Sequence, residues 1–119
     1  EYHARHARTW VLRLGDGTAE SHARMQTAFD ELFPYLEELL ASDAITRELA
    51  TAGLAPDPST LRDEAHATIA ALLKGATLAM PQPGAFHPRG GRAGRHTEHL
   101  ARMLAEMQVI ARAHPGARW

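Results

Sequence analysis

Apolar residues recur along this chain with helical spacing, and no segment alternates as a strand would. Tyr2, His3, His6, Ala7, Trp10, Val11 and Leu14 share a helical face, which predicts a first helix from about Glu1 to Leu14. Gly15-Asp16-Gly17 interrupts it, and Thr18 is placed to cap the next helix. That second helix is predicted to run to about Ala41 on the stripe Met25, Phe29, Leu32, Phe33, Leu36 and Leu40, with a kink near residues 30–33 because Pro34 lies inside it. Ser42-Asp43 opens a short helix that Gly53 stops. Asp57-Pro58 reads as an N-cap followed by proline at the first helical position. The helix it starts is predicted to reach about Leu78 through Leu61, Ala65, Ile69, Leu72 and Leu73. Met80 to Gly94 reads as a loop. A last helix, His96 to Ala113, carries Leu100, Met103, Leu104, Met107 and Ile110 on one face, and Pro115-Gly116 ends it. The four longer helices, each with one apolar stripe, predict an all-α antiparallel bundle.

Composition narrows the chemistry. The 119 residues contain no cysteine, so disulfides, thiolate metal sites, iron–sulfur clusters and a cysteine nucleophile are excluded from this chain. No apolar run approaches the roughly 18 residues of a membrane span, and no signal-peptide pattern opens the sequence. Alanine supplies about one residue in five, which favours helix. The net charge of −1 conceals an uneven distribution: +1 over residues 1–24, −7 over 25–65 and +5 over 66–119. An acidic middle and a basic end fit docking to protein better than a nucleic-acid footprint, and no recognition helix stands out. Ser21, Ser42 and Ser59 sit in cap or helix contexts without a nucleophile elbow. The chain opens on Glu1 without an initiator methionine, in what reads as helix interior, and segments upstream are therefore expected.

Eight histidines on helices raise the question of a carboxylate-bridged di-iron site, whose half-sites are Glu-x-x-His pairs projecting toward one metal. None of the nine glutamates has histidine three residues on; Glu20/His22 and Glu64/His66 are two apart and point to different helix faces. His3/His6 and His96/His99 are spaced i, i+3, and His99 and Glu106 share a face. A two-histidine metal site or proton relay is one reading of them. The other is a buried polar network of His3, His6, His96, His99 and Glu106, and it is the reading adopted, with no metal or catalytic residue assigned. The segment Pro88 to Arg95 combines Arg89, Arg92 and Arg95 with Gly90, Gly91 and Gly94 just before a helix N-terminus. It suits an anion such as phosphate or an acidic partner surface, and it matches no nucleotide fingerprint.

Two long strings carry a resemblance. Tyr2-His3-x-x-His6-Ala7-x-x-Trp10-Val11-x-Arg13-Leu14-Gly15-Asp16-Gly17-Thr18 is one. The other is Gly91-Arg92-x-Gly94-Arg95-His96-Thr97-Glu98-His99-Leu100 with Leu104-Ala105-Glu106-Met107-Gln108 and Pro115-Gly116-x-x-Trp119. Together they resemble the phenylacetic acid catabolic protein family, over essentially the whole chain but only the C-terminal half of the usual family member. The resemblance implies that residues 1–119 are the C-terminal part of a ferritin-like helical domain. It implies a cytoplasmic, non-catalytic structural subunit of a phenylacetyl-CoA 1,2-epoxidase (monooxygenase) complex. A PaaA-like catalytic subunit would hold the di-iron centre, and NADPH would supply electrons through a flavin and iron–sulfur reductase. The arginine–glycine loop would then meet either the catalytic subunit or the phosphates of coenzyme A. A ferritin-like metalloenzyme in its own right and a self-associating helical scaffold remain as alternatives.

Overall fold

The computed structural model describes residues 1–82 and 88–118, and every regular element among them is helical. The middle of the Met80–Gly94 loop and Trp119 lie outside the described residues. The chain divides into two compact units, Glu1–Pro88 and Arg89–Trp119.

In the first unit α1 spans Tyr2–Gly15 and α2 spans Ala19–Leu32. Thr18 caps α2 as its spacing predicts, accepting a hydrogen bond from the Ser21 amide at 3.2 Å. The long second helix expected from the apolar stripe does not survive Pro34. The ring removes a backbone donor and crowds the preceding turn, so α2 stops at Leu32. A 3₁₀ turn, Phe33–Tyr35, follows, and α3 is a single turn, Leu36–Leu39. Asp43 then caps α4, Ala44–Thr51, in a reciprocal capping box with Thr46.

Asp57 and Pro58 start a helical segment as predicted, but its first turn is 3₁₀, Pro58–Leu61, before α5 runs over Arg62–Gly75. This helix ends about one turn short of Leu78. Its terminus is a Schellman motif, with the Leu78 amide donating to the Leu73 carbonyl at 2.9 Å and the Thr77 amide to Lys74 at 3.3 Å. The left-handed residue of that motif is Thr77, at φ +58°. The end of α4 has the same pair of bonds, Leu54 to Leu49 and Gly53 to Ala50, and there the left-handed position is Gly53 at φ +71°.

α1 lies against α2 and α5. Leu73, Ala76 and Leu78 form the buried centre, and Val11, Leu12, Met25, Phe29 and Ile69 pack around it. The contact line of α1 is therefore Val11, Leu12 and Gly15, which shares only Val11 with the predicted stripe. Tyr2 and Trp10 of that stripe are 63% and 47% exposed. Gly15 sits so close to the end of α5 that a Cβ there would lie 2.6 Å from the Ala76 carbonyl oxygen and 2.8 Å from the Ala76 methyl.

In the second unit a 3₁₀ turn at Gly91–Ala93 precedes α6, Glu98–Met107, and α7, Val109–Ala113. The single helix expected from His96 to Ala113 thus begins at Glu98, after Thr97 in extended conformation, and is interrupted at Gln108. No described residue of this unit is buried, and Met103, Met107, Val109 and Ile110 are each more than half exposed.

Candidate functional site

Three polar junctions tie the elements of the first unit together. At the α1–α2 corner, the Gly15 carbonyl is freed by the end of α1 and accepts from His22 Nδ1 at 2.7 Å and from Thr77 Oγ1 at 3.2 Å. The acceptor is a carbonyl, so Nδ1 of His22 carries the proton. One turn further along α2, the Gln26 amide pairs with both backbone groups of Ala79, accepting from its N–H at 2.9 Å and donating to its C=O at 3.1 Å. These contacts moor the segment after α5 to the α1–α2 hairpin.

The second junction joins α3 to α5. The Glu37 carboxylate accepts from His66 Nε2 at 2.7 Å through one oxygen and from the Arg62 guanidinium through the other. The Phe33 ring stands edge-on to His66, with centroids 5.9 Å apart. Arg62 and His66 are one turn apart on α5, so both reach the same carboxylate. All three side chains remain about 35–41% exposed, so solvent screens the charges and the cluster acts mainly as a joint. In the third junction Asp57 accepts from Ser42 Oγ, from the Ser59 amide at 2.9 Å and from Ser59 Oγ at 2.7 Å. The hydrogen bond from Ser42, then those from Ser59, hold the Asp57 carboxyl below its ordinary value of 3.8.

None of these junction residues is among the candidate site residues of the sequence. Capping signals foretold the role of Asp57, but nothing local links Glu37 to partners 25 and 29 residues away. An open groove of about 370 Å³ lies along α2, lined by Leu14, Thr18, Ser21, Met25 and Ala28 with the Glu20–Arg24 ion pair.

The singled-out histidines are distributed between the two units. On α1, Tyr2 stacks on His6 with centroids 5.9 Å apart, His6 meets Trp10 edge-on at 6.3 Å, and Tyr2 meets His3 edge-on at 5.5 Å. The ring contacts of His3 and His6 thus form an aromatic ladder. His3, His6, His96, His99 and Glu106 are all exposed in this chain by itself. The chain's own core is centred on the other face of α1, and no described residue of the α6 unit is buried.

The arginine–glycine segment is more ordered than the plain loop expected. Gly90 and Gly94 are left-handed and flank the 3₁₀ turn. The Arg95 amide donates back to the Gly90 carbonyl at 2.8 Å, closing the loop on itself. The aliphatic stem of Arg95 covers Gly90, within 3.1 Å of where a Cβ would stand. Arg89, Arg92 and Arg95 are exposed, and the loop presents planar guanidinium donors suited to carboxylates or phosphates. Among the described residues, no three His, Asp or Glu side chains come together as a metal ligand set, and no helix is long and apolar enough to cross a membrane.

Among the described residues every regular element is helical, the core is small and one helical unit has no buried residue. Across residues 1–119 the sequence matches the phenylacetic acid catabolic protein family, and the chain belongs to that family, whose fold is ferritin-like. It is 45% identical over 118 residues to a protein of Escherichia coli (strain K12) that is named as one of the subunits of 1,2-phenylacetyl-CoA epoxidase. The match covers 99% of this chain and 47% of that protein, so the chain spans about half the length of this relative.

Proposed function

We propose that this chain acts as a non-catalytic structural subunit of a phenylacetyl-CoA 1,2-epoxidase in aerobic phenylacetate catabolism, pairing with and supporting a PaaA-like catalytic subunit in the cytoplasm. The observation that carries this reading is the 45% identity, maintained over 99% of the chain, to a protein named as a subunit of that epoxidase. Two features support it. No glutamate in the sequence is followed three residues later by histidine, so the paired ligand spacing of a carboxylate-bridged di-iron helix is not present here. The apolar side chains Met103, Met107 and Ile110 face water, as those of an assembling surface do. In this reading the di-iron centre belongs to the catalytic partner, and NADPH-derived electrons reach it through a flavin and iron–sulfur reductase. The residues of this chain take no part in the oxygen chemistry.

The arginine–glycine loop, with Arg89, Gly90, Gly91, Arg92, Gly94 and Arg95, contacts the catalytic subunit or the phosphates of coenzyme A. His3, His6, His96, His99 and Glu106 lose their exposure when the complex forms. Co-purification with the catalytic subunit tests the assignment. The chain is expected to co-elute with it, and Arg92→Glu with Arg95→Glu is expected to weaken either that assembly or acyl-CoA affinity. If both survive the double substitution, the loop has no such role. Stoichiometric iron or manganese bound through His96 or His99 in the purified chain would instead identify a metalloenzyme in its own right. A tight homodimer that ignores the catalytic subunit would identify a self-associating scaffold.

A further inference from the structure

We draw no further inference here: the strongest candidate, the exposed apolar face of α6 and α7 formed by Met103, Leu104, Met107 and Ile110, is an unpartnered helix face, and nothing in the structure shows what covers it.

Discussion

Replacing Gly15 by alanine tests how closely the first unit is packed. In an ordinary helix the change stabilises by up to about 1 kcal/mol, because glycine loses more backbone freedom on folding. Here the new methyl would lie 2.6 Å from the Ala76 carbonyl oxygen, 2.8 Å from the Ala76 Cβ and 3.2 Å from Leu78 Cδ1. The first two atoms are backbone or directly attached to it, so a rotamer change cannot relieve the contact. Ordinary contact requires the end of α1 and the 76–78 segment to separate by about 1 Å. That movement pulls Ala76 and Leu78 from the core and stretches the Thr77–Gly15 hydrogen bond. Overpacking of this kind costs about 1–3 kcal/mol and the hydrogen bond about 1 kcal/mol more. After the helix-propensity gain, the net loss is about 2 kcal/mol. Urea unfolding followed by far-ultraviolet circular dichroism should show a midpoint lowered by about 1 M. Gly75→Ala is the control, because its methyl meets only the flexible end of Leu12, at 3.2 Å, and should leave stability within about 1 kcal/mol of the parent. A Gly15→Ala protein as stable as the parent, or a Gly75→Ala protein equally damaged, would refute the packing argument.

Three other changes probe the junctions. The Asp57 carboxyl titrates below 3.8 when folded, so its contribution to stability is complete above that value and disappears as pH falls through the folded pKa. Asp57→Ala should therefore be less stable than the parent at neutral pH, with the gap closing in acid; a gap independent of pH contradicts this. Thr77→Val keeps the left-handed strain and loses the bond to Gly15, whereas Thr77→Gly removes about 1 kcal/mol of strain. Thermal melting should rank glycine above valine at this position, and the reverse order would show that the backbone there is not strained. Gln26→Ala leaves both backbone groups of Ala79 to water and should cost about 1 kcal/mol in chemical denaturation. An unchanged midpoint would mean that the Gln26–Ala79 bonds do not help to hold the 76–79 segment.

Helix existence was legible in the sequence because it rests on local spacing, and so were the punctuation marks Thr18, Asp43, Gly53 and Asp57. Pro34 announced the break after Leu32. The end of α5 was not legible, because its left-handed position is filled by threonine. The residue that usually signals a helix end is absent, and Thr77 is held there by long-range contacts with Gly15 and by burial of Leu78. The face of α1 that packs was misplaced for a similar reason. Aromatic and aliphatic side chains marked one stripe, but close approach to Ala76 requires glycine, which carries no apolar side chain to count. The polar joint at Glu37 was invisible because its partners come from a distant helix. The histidines conspicuous in sequence lie outside the core, whereas His22 and His66, each two residues from a glutamate in the sequence, became the structural ones.

The second unit has a consequence for hydrogen exchange. A ten-residue helix is marginal in water by itself, and no residue of α6 is buried. Its amides should exchange through local opening at a free energy near zero, while those of α5 near Leu73 should report global unfolding. Slowed exchange confined to residues 98–113 on addition of a binding partner would locate the surface that the partner covers, without any change in the protection of the first unit.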